Sequence, residues 1–118
     1  MHKVGTDIVD ISRIRFLIDR YGDKFLNKVF TYDEILYCES HNDPPIHFAG
    51  RYSVKESIKK ATSAFNDFPS IKFNEISISN DENGRPYVAC KYFSEHNIDV
   101  SISHTQNHAI SIAILDNA

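Results

Sequence analysis

Phe48-Ala49-Gly50-Arg51-Tyr52-Ser53-Val54-Lys55-Glu56-Ser57-Ile58-Lys59-Lys60-Ala61 is the stretch on which the architecture of this chain turns. After Gly50 there is no glycine or proline up to residue 64, and Phe48, Tyr52, Lys55 and Lys59 recur at near-helical steps, so residues 47–64 are expected to form the longest helix. The preceding Asn42-Asp43-Pro44-Pro45 reads as a loop. Downstream, residues 75–79 alternate, residues 80–86 are rich in Asn, Asp and Gly, and residues 87–91 resume an extended pattern, which predicts a β-hairpin whose Asn83-Gly84 carries a type I′ turn signature. A second hairpin closes the chain: Val100 and Ile102 alternate before residues 103–107, and Ile110, Ile112 and Ile114 alternate after them, placing His104 and Thr105 on the connecting loop.

Upstream, residues 4–11 read as a strand bearing Asp7 and Asp10 near its end. A helix follows, with Ser12 as N-cap, Ile14, Leu17, Ile18 and Tyr21 on one face, Arg13, Arg15 and Arg20 at or near the other, and Gly22 as its end. Thr31-Tyr32-Asp33-Glu34 has the form of a capping box, so another helix runs to about residue 39. The expected fold is α+β, an antiparallel sheet packed by helices, in a single domain spanning residues 1–118.

Composition narrows the function classes. A 42% hydrophobic and 25% charged content is that of a globular chain. A net charge of −3 argues against a general nucleic-acid binder. Residues 1–60 nevertheless hold ten Lys/Arg against nine Asp/Glu, and residues 61–118 only three against seven, so cations for an acidic partner come from the first half. Cys38 and Cys90 are isolated thiols, the N-terminal residues have no apolar signal core, and no segment approaches the roughly 20 apolar residues of a membrane helix. The expectation is a cytoplasmic protein. The histidines lack ligand spacing, which argues against zinc.

Three polar segments are expected to meet: residues 5–10, residues 51–56 with Lys60, and Ser103-His104-Thr105. Together they offer an acidic metal site, cationic donors for phosphate oxygens and a polar loop, the groups that Mg²⁺-dependent phosphoryl chemistry needs. Asp7 and Glu56 are the candidate carboxylates, and Lys60 shares a helix face with Glu56. Asp10 fits a role as helix cap or partner of Arg13 better than a metal ligand.

Gly-Thr-Asp-Ile-Val-Asp-Ile-Ser-Arg-Ile at 5–14, the stretch at 48–61, Asn-Gly-Arg-Pro at 83–86 and Ser-Ile-Ser-His-Thr at 101–105 resemble, in order and spacing, the holo-[acyl-carrier-protein] synthases, the small 4′-phosphopantetheinyl transferases. The resemblance implies transfer of the phosphopantetheine arm of coenzyme A to a serine hydroxyl of an apo acyl carrier protein, with release of adenosine 3′,5′-bisphosphate and with Mg²⁺ as the metal. It implies Asp7 and Glu56 as metal ligands and catalytic groups, with Lys60 on the leaving phosphate. Either Glu56 or a metal-bound water takes the serine proton. Arg51, Lys60, Asn83, Gly84, Arg85, Pro86, His104 and Thr105 are implied to bind coenzyme A, and Arg13 and Arg20 the acidic carrier. A homotrimer with interfacial active sites and a place in fatty-acid metabolism follow by the same analogy.

Two features depart from the family pattern. Residues 62–69 contain no glycine where relatives carry a Gly-rich turn, and His41-Asn42-Asp43-Pro44-Pro45 stands where relatives are often basic. The rival reading is a catalytically silent module of the same fold that binds coenzyme A or docks the carrier. The presence of Asp7, Glu56 and Lys60 favours the enzyme.

Overall fold

Strand β1 (His2–Asp10) runs directly into helix α1 (Ile11–Tyr21), followed by α2 (Asp23–Val29), α3 (Tyr32–Glu39) and the long α4 (Pro44–Thr62). A 3-10 turn at Phe73–Glu75 leads to β2 (Ser77–Asn80) and β3 (Pro86–Ala89), and a second at Lys91–Phe93 to β4 (His96–His104) and β5 (His108–Asn117). The computed structural model describes residues 2–63 and 68–117. Its α+β architecture, with antiparallel sheets packed by helices, is the one expected. No helix among the described residues is long and apolar enough to cross a membrane.

Local chemistry accounts for most element ends. Thr31 caps α3 reciprocally: the Glu34 amide donates to the Thr31 hydroxyl and the Thr31 amide to Glu34 Oε1. Gly22 ends α1 at φ 54°, a left-handed value that favours glycine. Three expectations need correction. Asp10, not Ser12, holds the N-cap position of α1, and its carboxylate makes no cap hydrogen bond but lies 3.0 Å from His108 Nε2. Pro44 and Pro45 open α4 instead of forming a loop, because the first helical positions need no N–H donor. The turn after β2 is not type I′, since Asn83 has a negative φ; Gly84, at φ 81°, alone takes the left-handed position, and Asp81 Oδ1 accepts from the Asn83 and Arg85 amides. Helix α2 is additional to the sequence reading.

β5 is the middle strand of a three-stranded antiparallel sheet ordered β1-β5-β4, while β2 and β3 form a separate hairpin. Helix α4 lies across one face of the larger sheet. The β5 residues on that face, Ala109, Ser111, Ala113 and Leu115, are buried and mostly small, whereas Ile110, Ile112 and Ile114 point away from α4 and are exposed. Gly5 explains the spacing: a Cβ there would stand 1.9 Å from the Ser57 carbonyl oxygen and 2.8 Å from the Ala61 nitrogen, so the helix backbone rests on the strand. Apolar side chains pack at both ends of α4, around Phe48 with Ile14 and Phe30, and around Ile58 with Ile76 and Leu115.

Between these clusters sits a buried ion pair. Lys55 Nζ lies 2.6 Å from Glu34 Oε1, both side chains having 0% exposure. The ammonium also donates to the carbonyls of Val29, Phe73 and Ile76, and Glu34 Oε2 accepts the Ile78 amide. Lys55 therefore faces the interior and is not among the cations available to phosphate. Lys55→Met leaves the Glu34 charge buried without its cation, and the expected loss is about 3–5 kcal/mol in urea unfolding; a midpoint equal to wild type would show that the pair carries no stability.

Candidate active site

Asp7 sits on the α4-facing side of β1, opposite Ser111 of β5. Beneath it the hydroxyls of Ser53 and Ser57 lie 2.7 and 2.6 Å from the Ser111 hydroxyl, and Ser53 Oγ donates to the Asp7 carbonyl. These small polar side chains satisfy one another in the tight gap that Gly5 permits. One turn further along α4, Lys60 Nζ donates to the Thr6 carbonyl at 2.9 Å and to Asp7 Oδ1 at 3.3 Å. The Asp7 side chain is 15% exposed and that of Lys60 55%, so the pair stands at the rim of the strand–helix contact.

Glu56 projects from the same side of α4 between Ser53 and Lys60, spacings of three and four residues that share a helix face. Among the described residues no hydrogen bond or ion pair engages its carboxylate. Tyr52 registers the local charge: burial pushes its phenol up, the Glu56 carboxylate pushes it further, the Arg13 guanidinium pulls it back, and Asp7 adds a final upward push. Asp7, Glu56 and Arg13 thus all lie within electrostatic reach of one phenol. Two carboxylates from different elements, one of them without a protein partner among the described residues, are oxygen donors of the kind that suits Mg²⁺ when the ion keeps waters and substrate oxygens. No group of three or more His, Cys, Asp or Glu side chains that could hold a metal forms among the described residues, which sets the site apart from an all-protein cage.

The remaining expected residues gather elsewhere. Arg51 is only 4% exposed; its Nη2 donates to Asn80 Oδ1 at 2.6 Å, and its guanidinium lies over the Tyr37 ring at 4.0 Å. Asn80 Nδ2 in turn donates to the Gly84 carbonyl, which joins the turn containing Asn83, Gly84 and Arg85 to Arg51, with Pro86 at the start of β3. His104 is exposed and ends β4 instead of lying in the loop. The Thr105 hydroxyl accepts from the Asn107 and His108 amides, shaping the turn before β5. Lys59 is half-buried, its ammonium over the Phe73 ring at 4.1 Å. Arg15 is tied to Asp43 at 3.0 and 3.2 Å, so of the three α1 arginines it is Arg13 and Arg20 that remain exposed without a carboxylate partner. Residues 64–67 of the glycine-free segment lie outside the described residues.

Helical geometry separates the two groups. Glu56 and Lys60 are turned about 140° and about 180° around α4 from Arg51, so one chain presents the carboxylates and the Arg51 group on opposite sides of the helix. The three segments expected to meet thus form two groups within one chain, an arrangement compatible with the interfacial sites that the resemblance implies. The sequence reading missed His41 and His47, whose rings lie beside Tyr37 near Arg51. The only sequence signal for them was the departure from a basic stretch at residues 41–45.

An acidic pair and a lysine thus stand where α4 meets β1 of an α+β fold. The chain matches the family model described as the 4′-phosphopantetheinyl transferase superfamily over residues 3–113, and it belongs to that family. It is 38% identical over 117 residues to the holo-[acyl-carrier-protein] synthase of Protochlamydia amoebophila, covering 94% of both chains. Its fold is similar to that of a Bacillus anthracis holo-(acyl-carrier-protein) synthase solved in complex with CoA (3′,5′-ADP), with a TM-score of 0.83, 26% identity and coverage of 98% of this chain and 96% of that one. The Chronobacterium ammoniagenes ACPS–CoA complex gives a TM-score of 0.85 at 26% identity, over 100% of this chain and 98% of that one.

Gly5→Ala forces β1 and α4 apart at backbone that cannot yield cheaply, and is expected to cost about 3 kcal/mol in urea unfolding. A near-neutral effect would mean that the strand–helix contact does not set the position of Asp7.

Proposed function

We propose that this protein transfers the 4′-phosphopantetheine of coenzyme A to a serine hydroxyl of an apo acyl carrier protein, releasing adenosine 3′,5′-bisphosphate in a Mg²⁺-dependent reaction. The observation that carries the reading is the convergence of Asp7, Glu56 and Lys60 where α4 rests on β1. Asp7 and Glu56 would hold Mg²⁺, which when bound offsets the charge of the pyrophosphate oxygens. Glu56, free of protein partners among the described residues, accepts the proton of the attacking serine directly or through a water that it orients. The serine oxygen forms a bond to the pantetheine-bearing phosphorus as the bond from that phosphorus to the bridging oxygen breaks. Lys60, an ammonium already poised at the rim, stabilises the charge that develops on the departing phosphate.

Exposed Arg13 and Arg20 offer cations to an acidic carrier. Nearby, a hollow floored by Phe25, Tyr52 and Phe73 and rimmed by Lys28, Lys59 and Lys72 suits a carrier helix with acidic flanks and apolar anchors. The Arg51 group faces the other side of α4, and a coenzyme A site using both groups is completed by a second copy of the chain. Val4, Ile8, Ile110, Ile112 and Ile114, exposed on the sheet face away from α4, supply an apolar surface for that contact in a homotrimer. Fatty-acid synthesis in the cytoplasm is the setting that fits such an enzyme.

The direct test is the intact mass of an apo acyl carrier protein after incubation with coenzyme A, this protein and Mg²⁺. A gain of one phosphopantetheine is expected, abolished by EDTA, slowed about 10²–10⁴-fold by Glu56→Gln and little changed by Lys59→Ala. Coenzyme A binding without any mass gain across several carriers would point instead to the silent module. Ile112→Lys, which places a charge on the exposed sheet face, is expected to convert trimers to monomers in sedimentation and to lose transfer with them. A wild-type protein that sediments as an active monomer would overturn the interfacial site.

A further inference from the structure

Two side chains of α4 hold consecutive carbonyls of β1. Lys60 Nζ donates to that of Thr6 at 2.9 Å and Ser53 Oγ to that of Asp7 at 3.2 Å. Glu56 lies between them on the helix, three residues after Ser53 and four before Lys60. One helix face therefore both grips the backbone at Asp7 and presents the second carboxylate. The two holds differ in kind. The Lys60 side chain is 55% exposed and, on the transferase reading, is the cation that turns to the departing phosphate. Ser53 has 0% exposure and is out of reach of substrate, so its grip persists while Lys60 is otherwise engaged.

Ser53 does not act singly. Its hydroxyl lies 2.7 Å from that of Ser111, which lies 2.6 Å from that of Ser57, and Ser57 and Ser111 are buried as well. Each hydroxyl has one hydrogen to give, and a carbonyl has none. With the Ser53 hydrogen on the Asp7 carbonyl, the 2.7 Å contact needs the hydrogen of Ser111 and the 2.6 Å contact that of Ser57. The hydrogens then run from Ser57 to Ser111 to Ser53 to Asp7. The reverse order takes Ser53 away from Asp7 and ends on the Ser111 carbonyl at 3.4 Å, the longer of the two terminal contacts. A hydroxyl that accepts a hydrogen bond is also a better donor, so Ser57 and Ser111 strengthen the hold of Ser53. Packing does not ask for this arrangement, since alanines would fit the gap that Gly5 leaves between strand and helix.

We propose that Ser53, Ser111 and Ser57 are positioning residues for Asp7, a directed chain of buried hydroxyls that fixes the backbone there and so sets the Asp7 and Glu56 carboxylates at the separation a divalent cation requires. The role of the carboxylates rests on the transferase reading. Each hydroxyl acts through the next, and none touches metal, coenzyme A or carrier. The effect of removing one therefore falls with its distance along the chain from Asp7, although every Ser→Ala change deletes one oxygen atom and leaves the same small void. A part in packing or folding alone has no such order.

The test is NMR of the intact, isotope-labelled protein and of Ser53→Ala, Ser111→Ala and Ser57→Ala, each titrated with Mn²⁺ alone. The Asp7 carbonyl carbon is expected to move upfield in Ser53→Ala, as a carbonyl does on losing a donor, less in Ser111→Ala and least in Ser57→Ala. Paramagnetic broadening of the Asp7 and Glu56 carboxylate signals, read as an apparent Mn²⁺ affinity, is expected to weaken about tenfold in Ser53→Ala and by smaller factors, in the same order, in the other two. In the transfer assay the variants need correspondingly more Mg²⁺ for half-maximal rate, while kcat at saturating Mg²⁺ stays near wild type. An unmoved Asp7 carbonyl signal in Ser53→Ala, equal losses of Mn²⁺ affinity in all three variants, or carboxylates that Mn²⁺ leaves sharp in the wild type would overturn the proposal; the transferase reading stands wherever the wild type still adds phosphopantetheine to a carrier. Graded Mn²⁺ affinities in a protein that transfers nothing would uphold the positioning role and remove the transferase reading. Should Ser53→Ala not fold, the variant with all three serines changed to alanine leaves no hydroxyl orphaned and is expected to fold. Weakened Mn²⁺ affinity in that protein supports the proposal, and wild-type affinity counts against it.

Discussion

The fold depends first on one buried contact, the Lys55 ammonium against the Glu34 carboxylate. Through four acceptors Lys55 fastens the end of α2, Glu34 in the first turn of α3, the Phe73–Glu75 turn and the residue before β2 to the middle of α4. Glu34 returns the favour by closing the α3 cap and accepting the amide of Ile78, the second residue of β2. A charge pair without water would ordinarily cost more than it returns, but here nearly every hydrogen-bonding position around both groups is filled. With α4 held there, its remaining faces are assigned: one to the sheet through Gly5 and the serine cluster, one to the carboxylate rim, and one to Arg51 and the histidines.

What the sequence made legible was local. The Thr31–Glu34 cap and the Gly22 stop depend on residues a few positions apart, and both formed as expected. The long helix, both hairpins and the first strand were visible from periodicity, although their ends shifted by a few residues. Pro44 and Pro45 misled because proline is read as a breaker, yet it suits the first turn of a helix. Helix α2 has only seven residues, too few for an apolar period to stand out. The alternation of Ile110, Ile112 and Ile114 revealed a strand but not which face would meet α4, since period two is symmetric between faces.

The candidate site shows the same division. Asp7, Glu56 and Lys60 were legible as chemistry, and strand and helix do bring them together. Nothing in the sequence announced the burial of Lys55, because its partners come from residues 29, 34, 73 and 76. Arg51 was expected to bind coenzyme A, but its burial against Tyr37 and its place across α4 from Glu56 and Lys60 were not visible in the sequence. His41 and His47 looked like scattered histidines until the turn into α4 stacked them.

The position of β5 between β1 and β4 has a consequence for how the molecule comes into being. A ribosome makes β1 first and β5 last among these strands, yet β1 and β4 share no hydrogen bonds and each pairs only with β5. While the chain is still being synthesised, the sheet lacks the strand that joins it, and Val54, Ile58 and Ala61 of α4 await Ala113 and Leu115. The helical half and the Lys55 contact can assemble early, but the surface that carries Asp7 takes its final form only after residues 108–117 have emerged. Its closure therefore waits for the latest of these strands to reach the earliest, and is governed by the slow loop closure that such a topology entails.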